Sequence, residues 1–373
     1  MSFYFTKFAA QKYYKIRNYL MEKAENCIVG ISIGDLNGIG SEVILKTFED
    51  SRMLEMCTPV IFGNVKIMSF IKKNLNLTAQ LHGIDHINQL VRGKINVLNI
   101  WKEAVDINFG QNDEAIGKYA IRSFVEATAS LKQGEVDVLV TAPINKYNIQ
   151  SDDFKFPGHT DYLNQELQGN ALMFMVQDNL RVGLMTDHVP VNEVAKQLNE
   201  KLIIQKIDTI YKSLKQDFGI TKPKIAVLGL NPHCGDGGVI GKEDDEIIKP
   251  IIQKLFKKGL LVFGPYAADG FFGSAQYDKY DAVIATYHDQ GLIPFKTLSF
   301  GSGVNFTAGL DKIRTSPDHG TAYEIAGKGI ADHSSFKEAV YTAIDIYNQR
   351  IEYELLTNNP LKIKELQFES KKA

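Results

Sequence analysis

The sequence has few cysteines, almost no net charge and no long apolar run, and each shortage excludes a class of protein. Its three cysteines, Cys27, Cys57 and Cys234, form no CxxC pair. This rules out a disulfide framework and predicts a reducing compartment, the cytoplasm. The net charge of −2 gives no general attraction to nucleic acid or to an anionic membrane, so we expect neither as a partner. No apolar run reaches the roughly 18 residues that a membrane-spanning helix needs.

The first twenty residues differ in composition from the rest of the chain. They contain no aspartate or glutamate and are rich in lysine, arginine, tyrosine and phenylalanine. They also lack the continuous apolar core and the small-residue cleavage site of a secretory signal. We therefore expect residues 1–25 to be an extension ahead of the folded lobes. Two interpretations stay open: a basic amphipathic helix, or a disordered or non-native segment ahead of a natural start at Met21.

Beyond this extension, apolar runs alternate with helical patterns along the chain. Runs rich in valine, isoleucine and leucine predict strands buried on both faces. These strands are predicted at residues 27–33, 59–62, 95–100, 136–141, 172–176, 182–185, 225–230 and 282–286. Helices are predicted at residues 39–49, 113–133, 202–218, 244–258, 321–327 and 335–350. The alternation is typical of an α/β fold with a largely parallel sheet.

The chain length favours two lobes over a single core. No serine- or proline-rich linker separates them, so we expect both lobes to share one sheet. The middle of the chain, residues 151–289, is predicted to form one lobe. Residues 26–150 and 290–373 are predicted to form the other.

Five of the eight histidines lie in segments rich in glycine, proline and aspartate near predicted strand ends, where ligands bind in open α/β sheets. They are His159, His188, His233, His288 and His319. Three of them, His188, His233 and His288, form a candidate metal set with one ligand from each strand end. Three imidazoles suit zinc, cobalt, nickel or ferrous iron better than magnesium.

Three features address the binding of anions and cofactors. No GxGxxG fingerprint follows a predicted strand, so a standard Rossmann site is not supported. The glycine-rich turn at residues 34–42 leads into a helix and is suited either to hold an anion or to fix an active-site loop. Lys296 and Arg314 lie near serine and threonine and are suited to bind phosphate or carboxylate.

Seven motifs, taken in order, resemble the 4-hydroxythreonine-4-phosphate dehydrogenase family of vitamin B6 biosynthesis. They span nearly the whole chain beyond the extension and lie at residues 34–42, 141–146, 158–160, 230–238, 264–269, 287–291 and 314–320. Two departures occur. Leu36, Asn37 and Ser41 stand where the family pattern has Pro-Ala and Pro, and Cys234 stands where alanine is usual. Neither departure removes a proposed ligand.

The resemblance implies an α/β fold like that of isocitrate and isopropylmalate dehydrogenases, with the active site in the cleft between the lobes. It implies a homodimer with a shared active site, in which residues 151–289 form the dimerisation and metal lobe. It implies NAD or NADP as cofactor, together with a divalent metal. Zinc, cobalt and magnesium are the candidate ions, and the ligand type favours zinc.

The resemblance also implies roles for individual residues. The metal ligands of the family map onto His188, His233 and His288. Its substrate-binding residues map onto His159, Thr160, Lys296, Asn305 and Arg314. Three residues are candidates for the general base, and geometry has to decide among them. They are Lys296, Asp289 and Asp269.

The reaction implied is oxidation of the secondary hydroxyl of 4-phosphohydroxy-L-threonine by NAD(P). The β-keto acid that forms would lose CO₂ to give 3-amino-2-oxopropyl phosphate. An alternative is a sister dehydrogenase for a phosphorylated sugar acid such as threonate or erythronate 4-phosphate. A metal-dependent aldolase, an acyl-phosphate transferase and a non-catalytic binding protein are more distant alternatives.

Overall fold

The computed structural model describes residues 27–151 and 154–358. The expectations for residues 1–25, including a start at Met21, lie outside this part. In these ranges the strands are β1 Ile28–Ser32, β2 Thr58–Gly63, β3 Leu81–Ile84, β4 Ile95–Asn99, β5 Val138–Thr141, β6 Gly169–Gln177, β7 Leu180–Leu184, β8 Lys224–Leu228, β9 Leu261–Tyr266, β10 Ala282–Ala285, β11 Val304–Leu310 and β12 Ile313–Pro317.

The α-helices of the described part are α1 Gly40–Thr47, α2 Met53–Met56, α3 Val65–Asn74, α4 Glu114–Gln133, α5 His159–Glu166, α6 Val191–Gln197, α7 Glu200–Gln216, α8 Lys249–Lys257, α9 Ala268–Gly273, α10 His288–Ser299 and α11 Ser334–Thr357. A π-helical turn, Asp244–Ile248, precedes α8. The sequence itself sets several of these boundaries. In α4, for example, the Asp113 side chain accepts a hydrogen bond from the backbone N–H of Ala115, and Gly134 ends the helix with a left-handed conformation.

The twelve strands of the described part form one sheet in the order β3-β4-β2-β1-β5-β12-β11-β6-β7-β10-β8-β9. Neighbouring strands are parallel except in the centre, where β12, β11, β6 and β7 pair antiparallel in succession. This confirms the predicted α/β class with a largely parallel sheet. Strands from residues 28–141 and 304–317 occupy one half, and strands from residues 169–285 occupy the other. The lobe boundaries stay a prediction.

The sheet is covered on both faces, as its apolar runs predict. In β2, Val60 and Phe62 belong to one apolar cluster, while Ile61 between them belongs to the cluster on the other face. Phe336 and Val340 of α11 pack into the same cluster as Ile61. Within the described ranges no helix is both long enough and apolar enough to span a membrane.

Several elements differ from the sequence-based expectations. The apolar pattern does not predict strands β3, β9, β11 and β12 or helices α2, α3, α5, α6, α9 and α10. The helix predicted at residues 321–327 is wrong, because that segment forms turns. Positive φ angles at Ala322 (44°) and Gly327 (75°) are incompatible with a right-handed helix. The backbone carbonyl of Thr321 accepts a hydrogen bond from Ile39 N–H at 3.0 Å, which ties the segment to the glycine-rich turn instead.

The turn between β1 and α1 anchors several loops at the carboxyl edge of the sheet. Gly34 has φ +67°, and a Cβ there would lie 2.2 Å from the carbonyl oxygen of Pro143. The Asn37 side chain donates to Gln111 O at 3.1 Å and accepts from Asn108 N–H at 2.9 Å. Asn37, one of the departures from the family pattern, thus fastens the loop between β4 and α4.

We expect Gly34→Ala to lower the free energy of unfolding by about 2 to 5 kcal/mol. The new Cβ would clash with the carbonyl oxygen of Pro143, and alanine would also be strained at the positive φ angle of this position. Gly93→Ala is the matched control, since Gly93 has φ +70° but a Cβ there would meet no atom within 4 Å. The control should cost only about 1 to 2 kcal/mol. Chemical denaturation measures both values, and equal losses would show that the contact with Pro143 does not matter.

Candidate active site

A cavity of about 260 Å³ lies against the central strands of the sheet. Its walls come from the segment after β5, the start of α5, β6, α10, β11 and the segment that follows β12. It brings together all five predicted substrate-binding residues and one predicted metal ligand. These residues are His159, Thr160, Lys296, Asn305, Arg314 and His188.

Arg314 on β12 is the buried cation of this cavity, with 3% of its surface exposed. It donates to Thr141 Oγ1 from Nε at 3.0 Å and from Nη2 at 2.6 Å, and to Thr307 Oγ1 from Nη1 at 3.2 Å. Among the described residues no carboxylate pairs with it. Burial lowers the pKa of Arg314 to about 9, so the guanidinium remains charged at neutral pH. A buried charge without a counterion is costly, and an anionic ligand would supply the counterion.

His159 begins α5 and contacts the same guanidinium. Its Nδ1 lies 3.1 Å from Arg314 Nη2, and because a guanidinium can only donate, Nδ1 accepts and the ring proton sits on Nε2. Burial, followed by the charges of Arg314 and Lys146, holds the pKa of His159 well below its usual value. The ring packs edge-on against Phe124, with centroids 4.5 Å apart. His159 is therefore a neutral, fixed imidazole at neutral pH.

Further polar groups complete the anion-binding character of the cavity. Lys296 of α10 donates from Nζ to the carbonyl oxygen of Asp318 at 3.1 Å. Lys146, after β5, adds another cation to the wall. Asn305 Oδ1 is buried and has no hydrogen-bond partner among the described residues. Three cationic side chains therefore face a small polar cavity, which suits a phosphorylated or carboxylated ligand.

Thr141, Lys146 and Asp318 line the cavity but were not assigned roles from the sequence. Thr141 ends β5 and Lys146 lies in the segment that directly follows it, so the strand-end rule could have found them. Asp318 follows β12, a strand that the apolar pattern did not reveal.

The three predicted metal ligands follow three neighbouring parallel strands. His188 follows β7, His288 follows β10 and His233 follows β8, and β10 pairs with both other strands. All three therefore lie at the same edge of the sheet. The imidazole rings of His188 and His288 have centroids 5.9 Å apart. His288 Nδ1 lies 2.7 Å from Asp289 Oδ1, which leaves Nε2 for a ligand.

The donor chemistry of this pair fits a divalent ion. Burial, then the charge of Lys146, lowers the pKa of His188, which favours the neutral imidazole that binds metals. His233 is exposed and lies on the loop after β8. Across residues 27–151 and 154–358, no group of three or more His, Cys, Asp or Glu side chains is placed to hold a metal. The structure thus brings two of the three predicted ligands together.

The loop that carries His233 has an unusual backbone. Positive φ angles run from His233 to Gly238 without interruption, and they include the non-glycine residues Cys234 and Asp236. Each non-glycine residue in this conformation costs about 1 to 2 kcal/mol. Strain of this kind persists where the surrounding structure enforces it, and it concentrates at functional sites.

The three candidates for the general base lie in different places. Lys296 lines the cavity. Asp269 and Asp289 instead line a separate depression of about 340 Å³ beside Tyr287 and Ile293. Position therefore favours Lys296 among the three.

The buried, neutral state of His159 predicts a pH dependence of stability. The unfolded chain binds a proton at this histidine below a pKa of about 6.5 while the folded chain does not, so stability falls as pH drops below that value. Between pH 6.5 and 5.5, we expect the free energy of unfolding of the wild type to fall by about 1 kcal/mol more than that of His159→Gln. Denaturation at the two pH values measures this, and parallel losses would contradict it.

The contacts of Arg314 predict a role for Thr141 in anion binding. Thr141→Val removes the acceptor of two guanidinium N–H groups and should weaken binding of inorganic phosphate about tenfold or more, since hydrogen bonds to charged groups contribute roughly 1.5 to 3 kcal/mol. Thr141→Ser keeps the hydroxyl and is the matched control. Calorimetric titration gives both affinities. Equal affinity in the two variants would mean that Thr141 does not orient the guanidinium.

Comparison with known proteins bears on the chain as a whole. The model of the family described as "Pyridoxal phosphate biosynthetic protein PdxA" matches residues 55–343. The 4-hydroxythreonine-4-phosphate dehydrogenase of Bacteroides thetaiotaomicron is 47% identical over 336 residues, which cover 90% of this chain and 92% of that relative. The D-threonate 4-phosphate dehydrogenase of Cupriavidus necator is 35% identical over 328 residues, covering 87% of this chain and 98% of that relative.

A solved structure gives the same result. The crystal structure of 4-hydroxythreonine-4-phosphate dehydrogenase from Klebsiella pneumoniae matches with a TM-score of 0.74 at 32% identity, covering 87% of this chain and 98% of that chain. These matches confirm the resemblance and the expected fold class. The chain belongs to the PdxA family of pyridoxal phosphate biosynthetic proteins.

Proposed function

We propose that the chain is an NAD(P)-dependent and divalent-metal-dependent 4-hydroxythreonine-4-phosphate dehydrogenase. It would oxidise the secondary hydroxyl of 4-phosphohydroxy-L-threonine to a β-keto acid, which loses CO₂ to give 3-amino-2-oxopropyl phosphate. The observation that carries the proposal is the buried, uncompensated guanidinium of Arg314 in a cavity that gathers the family's substrate-binding positions. The 47% identity to a relative of this name supports the choice of substrate.

The side chains of the cavity divide the work of binding and orientation. Arg314 would anchor an anionic group of the substrate, and His159 and Thr160 would contact its phosphate. Asn305 Oδ1, buried without a partner among the described residues, would accept a hydrogen bond from the substrate. Lys296 is the candidate base that lines the cavity, and we place the acceptor of the hydroxyl proton there.

The cofactor would be NAD or NADP, bound without a Rossmann fingerprint. When bound, its nicotinamide ring supplies the acceptor for the hydride from the substrate carbon. The chain's own contribution is to hold the hydroxyl-bearing carbon in a fixed orientation and to limit access of water.

The metal would be held by His188, His288 and His233, and zinc suits these ligands best. When bound, a divalent ion supplies a Lewis acid for the substrate oxygen. Asp289 accepts from His288 Nδ1–H and thereby directs Nε2 toward the ion. His188, whose pKa is lowered by burial, would bind without first losing a proton at neutral pH.

Assembly and location form part of the same proposal. Exposed apolar side chains flank the three histidine segments, at Val191 (79% exposed), Val239 (83%), Ile240 (47%) and Ile293 (63%). Exposed apolar groups that cluster in this way mark interaction surfaces. A second copy of the chain would cover this edge, giving a cytoplasmic homodimer with a shared active site.

A second candidate is oxidation of a phosphorylated sugar acid. The Cupriavidus necator relative, 35% identical, is a D-threonate 4-phosphate dehydrogenase. That substrate also carries a phosphate and a carboxylate, so the cavity would hold it through the same cations.

The test is formation of NAD(P)H at 340 nm from 4-phosphohydroxy-L-threonine and, separately, from D-threonate 4-phosphate. Protein stripped of metal with EDTA should be inactive and should regain activity with Zn²⁺ or Co²⁺. We expect His233→Ala to lose both bound metal and turnover, because it removes a ligand. His82→Ala, at the far edge of the sheet on β3, is the control and should keep both.

Faster turnover of the threonate ester would favour the second candidate. No NAD(P)H from either substrate, with both cofactors and all metals tested on folded protein, would refute the dehydrogenase proposal. Full activity and metal content in His233→Ala would refute the metal assignment alone.

A further inference from the structure

A polar staple connects the ends of the three strands that precede the metal-ligand candidates. We define it as the side chains of Thr186, Thr286 and Gln290. Thr186 Oγ1 donates to the carbonyl oxygen of Thr286 at 2.7 Å. Gln290 Oε1 accepts from Thr286 N–H at 2.8 Å, and Gln290 Nε2 donates to the carbonyl oxygen of Gly229 at 2.6 Å. The staple therefore spans the edge from β7 through β10 to β8.

Each end of the staple lies a short distance along the chain from one histidine. Thr186 precedes His188 by two residues, and Thr286 precedes His288 by two. Gly229 precedes His233 by four residues. Neither threonine exposes more than 3% of its surface, so water does not replace these hydrogen bonds when one is lost.

The Gln290 amide is the link that joins the His288 segment to the His233 loop. It uses both halves of its side chain, since the oxygen also accepts from Thr286 Oγ1 at 2.9 Å while the nitrogen donates to Gly229. A side chain without an amide cannot make both contacts. Removing it would leave the carbonyl of Gly229 with the longer hydrogen bond from Thr286 Oγ1, at 3.4 Å, and would loosen the connection between the two segments.

The His233 loop is also held by hydrogen bonds to residues that follow Gly229. The carboxylate of Asp244, fully buried, accepts from Leu230 N–H at 2.8 Å and from Asn231 N–H at 3.0 Å. These contacts set the shape of the loop but do not reach β10. Two side chains tie Gly229 to the His288 segment: Gln290 donates to its carbonyl at 2.6 Å, and Thr286 Oγ1 donates to the same oxygen over a longer 3.4 Å.

We propose that Gln290 is a positioning residue for the metal site, which aligns the His233 loop with His288 through the carbonyl of Gly229. It does not touch the ion or the substrate in this assignment. The inference rests on the metal ligands of the proposed function. Residues that orient metal ligands typically change metal affinity 10- to 100-fold when they are mutated.

The experiment compares Gln290→Met with wild type in the full-length protein, with Zn²⁺ and Co²⁺ as probes. Methionine has a similar length but neither amide donor nor amide acceptor. We expect the dissociation constant for Zn²⁺, measured by chelator competition, to rise about 10- to 100-fold. The visible absorption of the Co²⁺ form should change in intensity, because it reports the geometry of the ligands.

The matched control is Gln276→Met. Gln276 is also half-buried, and its amide donates to Ser274 Oγ at 3.2 Å, away from the three histidine segments. It should leave both metal readouts unchanged. Binding of inorganic phosphate at the Arg314 cavity serves as the folding control and should be retained in both variants.

Wild-type Zn²⁺ affinity and an unchanged Co²⁺ spectrum in Gln290→Met would overturn the inference, even if the dehydrogenase activity is found. Loss of phosphate binding together with metal binding would also overturn it, since Gln290 would then support the fold in general. Failure of the proposed function would give a different result. The wild type would form no NAD(P)H, while Gln290→Met would still bind Zn²⁺ more weakly than the wild type.

Discussion

The buried positive charge of Arg314 is the constraint around which the site is built. Its neighbours Thr141, Thr307 and His159 offer only neutral acceptors, so they fix the orientation of the guanidinium without cancelling its charge. A carboxylate in their place would stabilise the empty protein and compete with the ligand. The strands that supply Thr141 and Thr307 lie at the centre of the sheet, and His159 begins helix α5, which packs against the neighbouring strand β6.

The metal-ligand candidates and the groups around Arg314 come from different strands of the sheet. Strands β5, β12 and β11 provide the groups that surround Arg314, while β7, β10 and β8 lead into the histidine segments. The three successive antiparallel pairings between β12 and β7 make β5 and β12 run opposite to β7, β10 and β8. His188 belongs to the wall of the Arg314 cavity, and its ring also approaches His288. It is therefore the contact between the anion-binding half and the histidine-bearing half.

The sequence predicts the parts of this molecule that apolar patterns control. Strands such as β1 and β5 are continuous apolar runs, and they appear where expected. Strands β11 and β12 were missed because the positions that face the cavity carry polar side chains, among them Asn305 and Arg314, which interrupt the apolar pattern. The strands that build the site are thus the ones that the apolar pattern predicts least well.

For the site itself, ordered motifs were more informative than local chemistry. The five substrate-binding residues mapped through the family resemblance share one cavity, although they come from distant parts of the chain. The acids named as candidate bases, Asp269 and Asp289, instead line a separate depression, because residue type and position in a motif do not set the direction of a side chain.

The left-handed loop from His233 to Gly238 has a consequence for how this sequence can diverge. Glycine bears no penalty in that conformation, whereas Cys234 and Asp236 each carry one. Replacement of either by glycine would relieve strain, while replacement of Gly235, Gly237 or Gly238 by any other residue would add it. Backbone stability therefore favours glycine at positions 234 and 236. His233 is the exception, because relieving its strain by substitution would remove the imidazole.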